Sequence, residues 1–268
     1  MDVTVTKHHG LGNDFLVLDT AQVEGSPDWP EVARHWCDRR RGLGADGLLL
    51  LTRGQDRRVS MILHNADGSP AEMSGNGIRC LVQAADRAAG CPGGIYIVDT
   101  VAGERRVEVL ESVNESTAML SVDMGAVGEI VEPAGWDRLG CHPDRPVAHL
   151  SLGNPHAVVG VDDVSDVDLG TLGALVPEVN LEVVAPGPEP HAITMRVHER
   201  GVGITEACGT GACASAFAAV AWGLVASAEP EVLVHMDGGD ARVRVDLANR
   251  TVTLVGPATF VASMSVVL

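Results

Sequence analysis

Ser74-Gly75-Asn76-Gly77 and Cys208-Gly209-Thr210-Gly211 are two forms of one phrase, 134 residues apart, and each follows a polar loop and opens an Ala-rich, apolar stretch. A second phrase repeats in the same order. Leu11-Gly12-Asn13 returns as Leu152-Gly153-Asn154, 141 residues further on. Two ordered repeats at similar offsets predict a duplicated half of roughly 135 residues. After the first phrase, Ile78 to Ala89 places Ile78, Leu81, Val82 and Ala85 on one helical stripe. After the second, Ala212 to Ala226 is apolar on nearly all sides, the mark of a helix surrounded by protein. Strand-like alternation follows both: Val107 and Val109 around Glu108, Leu120 and Val122 around Ser121, and Val243, Val245 and Leu247 between Arg242, Arg244 and Asp246. Strands wrapped about a central helix fit this pattern. Turns are expected at Pro92-Gly93-Gly94, Pro186-Gly187-Pro188 and Gly238-Gly239, with the irregular stretch Gly125 to Gly140 linking the halves.

The chain's 268 residues suit one or two compact domains. Hydrophobic residues make up 46% and charged residues 21%, so a packed core is expected rather than extended disorder. The formal charge of −17 repels a phosphate backbone, and only Arg39-Arg40-Arg41 and Arg57-Arg58 gather positive charge, which argues against a nucleic-acid partner. No apolar run approaches the roughly 20 residues of a membrane span, and Met1 to Lys7 lacks the regions of a secretory signal. A cytoplasmic address is the expectation. The six cysteines, Cys37, Cys80, Cys91, Cys141, Cys208 and Cys213, include no Cys-x-x-Cys pair, so reduced thiols are expected and no metal site.

Cys208 carries the strongest chemical signal, because it stands before two glycine-spaced amides at an expected helix start. A helix N-terminus bears roughly half a positive charge and favours a thiolate or a carboxylate there. It lowers a thiol's pKa toward the range of a working base. A small buried cysteine capping a helix would give the same local sequence, and it is the repeated partner that favours chemistry. If the two halves face each other, Ser74 and Cys208 flank one substrate α-carbon. One side chain then removes a proton from one face while the other delivers a proton to the opposite face, which inverts the centre. The amides of Gly75, Asn76, Gly209 and Thr210 stabilise charge developing on the substrate carboxylate. The scheme requires no cofactor. Neither copy ends in the Gly-Lys-Ser/Thr of a phosphate loop, and the dinucleotide spacing is missing.

Five ordered strings then bring a specific resemblance: His9-Gly10-Leu11-Gly12-Asn13-Asp14-Phe15; Asn65-Ala66-Asp67-Gly68-Ser69; Ser74 to Cys80; Gly153-Asn154-Pro155-His156; and Glu199-Arg200-Gly201 through Ala207 to Gly211. Over essentially the whole chain they resemble the diaminopimelate epimerase family. The resemblance implies an α/β (α+β) fold of two pseudo-symmetric halves, each a mixed β-barrel-like sheet around a central helix. The expected halves are 1–123, joined by the final strand 257–268, and 124–256. Members of the family interconvert LL- and meso-diaminopimelate for lysine and peptidoglycan synthesis, without pyridoxal phosphate, through two opposed cysteines. Residue by residue, Cys208 matches the second of those cysteines, and Ser74 stands where the first is expected. Asn65, Asn154, Asn180 and Arg200 match ligands of the distal carboxylate, Glu199 matches a ligand of the distal ammonium, and Asn13 falls on the substrate side. Arg supplies a fork of donors, Asn directional hydrogen bonds and Glu a charge opposite to an amine. Cys80 falls outside the catalytic positions, and His156 reads as a supporting or structural histidine. A homodimer with a small amino-acid substrate is implied.

Three departures qualify the match. Ser74 offers a hydroxyl that is a poor base without an activating neighbour; Ile204 stands where the family usually has Glu; and His64 precedes Asn65 where an aromatic residue is common. Ser74 has three accounts: a substitution introduced to trap substrate or prevent a disulfide, a native residue of an active Ser/Cys enzyme, or the sign of a weakened relative. Hydroxyproline epimerases, which are similar, do pair Ser with Cys. The competing functions are therefore another cofactor-independent racemase, of the histidine or hydroxyproline type, and an amino-acid-binding homologue without catalysis. A hydrolase lacks a convincing His/Asp partnership.

Overall fold

The computed structural model describes residues 1–90, 93–225 and 231–268. The chain divides into two compact units, one formed by 1–122 with 256–268 and the other by 123–255. The two stretches of chain between units run inside strands. The stretch Gly125 to Gly140, expected as the link, lies wholly within the second unit.

The first unit contains β1 (Asp2–Gly10), β2 (Asn13–Asp19), α1 (Trp29–Cys37), β3 (Gly47–Arg53), β4 (Arg58–Asn65), β5 (Pro70–Ala71), α2 (Gly75–Ala89), β6 (Gly94–Thr100), β7 (Gly103–Ser112) and the start of β8 (Thr117–Ala126). Antiparallel pairs join β1 to β2, β3 to β4, β6 to β7 and β7 to β8. Parallel pairs join β2 to β3 and β4 to β6, and each of these crossovers contains a helix, as parallel neighbours require. The last strand of the chain, β17 (Thr251–Val267), pairs with both β1 and β8 and closes a ring of eight strands. A closed ring has no exposed edge.

At the tip of the β1–β2 hairpin, Leu11 and Gly12 both take positive φ, 55° and 85°, the conformation of a two-residue turn matched to the strand twist. Glycine suits the second position because a side chain there is strained. The turn delivers Asn13 to the strand end.

Within the second unit lie β9 (Gly128–Glu129), β10 (Val147–Ser151), β11 (Pro155–Gly160), α3 (Leu169–Gly173), β12 (Asn180–Pro186), β13 (Ala192–Glu199), β14 (Gly203–Thr205), α4 (Gly209–Ala221), β15 (Val232–Met236) and β16 (Gly239–Asp246). Its pairing repeats the first unit's pattern. Neighbours are antiparallel except β11 with β12 and β13 with β15, whose crossovers contain α3 and α4. β9 pairs with β10, and Val127 just before it donates to the Arg250 carbonyl beside β17.

Each ring encloses one helix. Every residue from 75 to 86 in α2 and from 209 to 220 in α4 is buried. α2 packs on β1, β2, β3, β4 and β7, while α4 packs on β10, β11, β12, β13, β15 and β16. Both helices begin three residues before the apolar stretches the sequence suggested, directly after Ser74 and Cys208. α2 ends at Gly90 in the left-handed conformation, φ 63°, as helices often do. α4 stops at Ala221, short of the expected Ala226, which lies outside the described residues; so does Pro92 of the first expected turn. Leu247 falls just beyond the end of β16.

Outside the first ring, α1 buries Ala33, Trp36 and Cys37 against Val3, Val5, Leu16, Leu18, Leu48 and Leu50. Leu169 of α3 does the same against Ala157, Val159, Leu181 and Val183. Strands covered on both faces explain the unbroken Leu48-Leu49-Leu50-Leu51 run.

Candidate active site

Ser74 and Cys208 are the N-caps of the two enclosed helices. Both have extended backbone, and each side chain turns back to accept from the amide three residues on: Gly77 N–H to Ser74 Oγ at 3.0 Å, Gly211 N–H to Cys208 Sγ at 3.3 Å. Ser is a favoured cap because its oxygen accepts one of the first-turn amides; Cys is a weaker acceptor in the same geometry. The amides of Gly75 and Asn76, and of Gly209 and Thr210, form the first turn of each helix, ahead of its internal hydrogen-bond ladder. A carboxylate placed there meets oriented N–H dipoles.

Around Ser74, which is half-buried, a directed network fixes two amides. Arg79 is fully buried and donates to the Gly75 carbonyl at 2.9 Å, to Asn76 Oδ1 at 2.7 Å and to the Pro257 carbonyl at 3.1 Å. Asn76 Nδ2 donates to Asn13 Oδ1 at 3.2 Å, and Asn13 Nδ2 donates to Asp46 Oδ2 at 2.8 Å. An arginine can only donate and a carboxylate only accept, so both amides have one permitted orientation. Asp46 and Asp14 share Arg39, and Lys7 closes the cluster on Asp14 at 2.8 Å. The guanidinium and the ammonium together hold the Asp14 carboxyl below the ordinary range, against the opposing effect of burial. Lys7, the chain's single lysine, also donates to the Gly44 carbonyl. Asn65 donates to Ser69 Oγ at 3.0 Å at the β4–β5 turn.

Cys208 sits deeper. It is 4% exposed, and burial pushes its thiol well above the ordinary value, assisted by the charges of Glu199 and Glu182. Thr210 Oγ1, 3.5 Å from Sγ, and the Gly211 amide pull the other way without prevailing. The resting side chain is a thiol. Asn154 donates to Thr210 Oγ1 at 3.1 Å, repeating in this unit the Asn13–Asn76 contact of the other. Asn180 Oδ1 accepts the Arg200 amide at 2.8 Å, and Glu199 accepts from Thr205 Oγ1 at 2.5 Å, so these two side chains shape the β13–β14 turn that presents Arg200. Arg200 is exposed, and Ile204 on β14 is 49% exposed.

His156 engages both ring nitrogens, as a satisfied histidine should: Nδ1 lies 2.7 Å from Glu182 Oε1 and Nε2 3.0 Å from Asn154 Oδ1. Glu182 was not singled out from the sequence. Its signal was a charged residue inside the apolar strand Asn180-Leu181-Glu182-Val183-Val184. Arg79 was missed for a related reason, since the stripe of Ile78, Leu81, Val82 and Ala85 says nothing of what the other face of the helix meets. Cys80 is fully buried with its thiol pushed up to about 12 by burial, a core position. Among the described residues no group of three His, Cys, Asp or Glu side chains is arranged to hold a metal ion, and no helix is long and apolar enough to cross a membrane.

The fold is that of the epimerase and PhzF-type proteins. A phenazine biosynthesis protein of the PhzF family from Bacillus anthracis aligns over 100% of both chains with TM-score 0.76 at 12% identity. A hydroxyproline epimerase from Agrobacterium vitis aligns over 99% of this chain and 91% of its own with TM-score 0.69 at 15% identity. Sequence relatives narrow the class. The family model for diaminopimelate epimerase matches residues 5–129 and 149–261. The diaminopimelate epimerase of Thermosynechococcus vestitus is 38% identical, with 98% of this chain and 99% of the relative covered. That of Magnetococcus marinus is 39% identical, with 94% and 93% covered. The chain belongs to the diaminopimelate epimerase family.

Proposed function

We propose that the protein is an isomerase that converts LL-diaminopimelate to meso-diaminopimelate by proton transfer at the α-carbon, without pyridoxal phosphate, with Cys208 and Ser74 addressing opposite faces of that carbon. The observation carrying this reading is the matched pair of N-caps, Cys208 and Ser74, each opening an enclosed helix in a similarly built unit. The α-carboxylate binds at the first-turn amides of Gly75, Asn76, Gly209 and Thr210, which stabilise the charge that develops as the proton leaves. Asn13, Asn65, Asn154, Asn180 and Arg200 bind the remainder of the substrate, and Glu199 its distal ammonium. A pyridoxal phosphate Schiff base needs a lysine. The only one, Lys7, is committed to Asp14 and the Gly44 carbonyl.

The electrostatics give Cys208 a reason to wait for substrate. Glu199 helps hold its thiol protonated. An ammonium bound beside Glu199 offsets that charge and lowers the barrier to a thiolate, so the base forms in the complex. Ser74 donates readily and abstracts poorly. The protein acts in the cytoplasm as a homodimer whose two units, 1–122 with 256–268 and 123–255, are the halves of the enzyme, and its product serves lysine synthesis.

Stereoinversion of LL-diaminopimelate, followed by chiral chromatography, tests the reading. Turnover that disappears in Arg200→Ala, with little gain on shorter amino acids, is expected. Preferential turnover of histidine or hydroxyproline overturns it.

A further inference from the structure

Glu182 and His156 form a fully enclosed pair, both 0% exposed, at the centre of the second ring. Such a pair is costly to bury and is weak evidence for stability in itself. Its second carboxylate oxygen, Oε2, has no hydrogen-bond partner among the described residues. A full negative charge left half-satisfied is the least favourable form of this group, and burial accordingly pushes the Glu182 carboxyl up. A hydrogen bond of 2.7 Å puts one proton between Oε1 and Nδ1.

From there the hydrogen bonds run in one direction. His156 Nε2 faces Asn154 Oδ1, which only accepts, so Nε2 carries hydrogen. Asn154 Nδ2 then donates to Thr210 Oγ1, and the Thr210 hydroxyl, 3.5 Å from Cys208 Sγ, must be the donor of that contact once the sulfur is a thiolate, which only accepts. All five side chains lie in the second unit, on β11, β12, α4 and the turns entering β11 and α4. Reversing the chain requires a bare Nε2, a turned Asn154 amide and a Thr210 hydroxyl pointing away from sulfur.

We propose that Glu182 is a positioning residue: by holding His156 with hydrogen on Nε2, it fixes the amide of Asn154 and aims the Thr210 hydroxyl at Cys208 Sγ, where a thiolate must form. The inference rests on the assignment of Cys208 as the base. Charged and polar groups acting on that sulfur are Glu199 from β13, Glu182 from β12, the Thr210 hydroxyl and the Gly211 amide of α4. Glu182 therefore has two opposed effects, a field that disfavours the thiolate and an aimed hydroxyl that favours it. One proton shared between Glu182 and His156 leaves the pair with no net charge, which weakens the first effect and leaves the second.

The test is the pH dependence of Cys208 alkylation by iodoacetamide in the intact protein, read by peptide mass spectrometry, in wild type, Glu182→Met and Glu182→Gln. Methionine keeps the volume but removes donor and acceptor; the Cys208 titration is expected to move up by about one unit. Glutamine can donate to Nδ1 and is expected to return the titration to near the wild-type value. An unmoved titration in a folded Glu182→Met protein, or a Gln variant shifted as far as Met, overturns the proposal. Should the Met variant fail to fold, ¹⁵N NMR of histidine-labelled wild type decides, with the resonance assigned by its loss in His156→Gln. Hydrogen on Nε2 across pH 6–9 is expected, and a bare Nε2 with hydrogen on Nδ1 overturns the chain. Neither measurement uses substrate, so failure here counts against Glu182, whereas failed stereoinversion with a normal titration counts against the assigned reaction.

Discussion

The helices α2 and α4 occupy the same place in two similar rings, yet they are enclosed in opposite ways. α2 carries Asn76, Arg79, Gln83 and Asp86 into the interior, and each finds partners there: Gln83 donates to the Ser116 and Ala258 carbonyls and accepts from His8 Nδ1, and Asp86 accepts from Tyr96 and the Gly93 amide. α4 is almost wholly apolar, with Ala212, Cys213, Ala216, Phe217 and Val220 against the strands, and its polar support comes from β11 and β12 through His156 and Glu182. One architecture thus tolerates a helix wired by its own side chains and a helix served by its surroundings. What both preserve is the cap at the start. The wired helix presents an oxygen at Ser74, and the served helix presents a sulfur at Cys208 in a more buried setting.

The largest expected consequence of this contrast is catalytic. Cys208→Ala lowers the rate of stereoinversion by on the order of 10³-fold, the range of a lost general base, and the assay on LL-diaminopimelate reads it directly. Activity within tenfold of wild type would break the claim that the second unit supplies the stronger base. Stability separates the helices next. Arg79→Met removes a guanidinium donor from the Gly75 and Pro257 carbonyls and from Asn76 Oδ1, and costs roughly 3–4 kcal/mol in chemical denaturation. At the corresponding point of α4, Cys213→Ala shortens a fully buried side chain by one sulfur and costs about 1 kcal/mol. Equal costs at the two positions would show that α2 is not held by its polar wiring.

A smaller effect follows from pH. Burial, foremost, and the nearby charges of Arg87 and His9 hold His8 down at about 4, while its bond to Gln83 resists the change. The folded chain therefore stays neutral there while the unfolded chain gains a proton below its ordinary value near 6.5. Stability falls as pH drops through that window, and the loss reaches its full extent, about 3 kcal/mol, only below 4. Glu182 has the reverse sign: its raised folded value removes stability as pH rises above the ordinary carboxyl range. Denaturation midpoints in His8→Asn should lack the loss on acidification, and those in Glu182→Gln should lack the loss as pH rises above the ordinary carboxyl range. A stability cost as small as that of Cys213→Ala is expected of Ser74→Ala, which loses the bond to the Gly77 amide and costs about 1 kcal/mol.

The repeated Gly-x-Gly phrases made the duplication and the two helix starts legible, because an N-cap and its first turn are specified by local sequence. The apolar α4 was legible too, since a helix without a polar face must be enclosed. α2 read as amphipathic, with Ile78, Leu81, Val82 and Ala85 toward protein. Its other face, Arg79, Gln83 and Asp86, turned inward because the ring closes around it, a tertiary fact that periodicity does not contain. The same limit hid Glu182. A single charge in an apolar strand identifies an anomaly, but its partner His156 is 26 residues away and is brought to it by the parallel pairing of β11 and β12. Ser74 and Cys208 could be matched as a pair from sequence, whereas the difference in burial between them could not.

That difference has one direct readout. In deuterium oxide, incorporation of deuterium at the α-carbon is followed by mass spectrometry from LL-diaminopimelate and, separately, from the meso form. Exchange is expected to be fast from the stereoisomer whose α-hydrogen faces Cys208 and much slower from the one whose hydrogen faces Ser74. Equal rates from both would contradict it, because a hydroxyl without an activating neighbour cannot match a thiolate as a base.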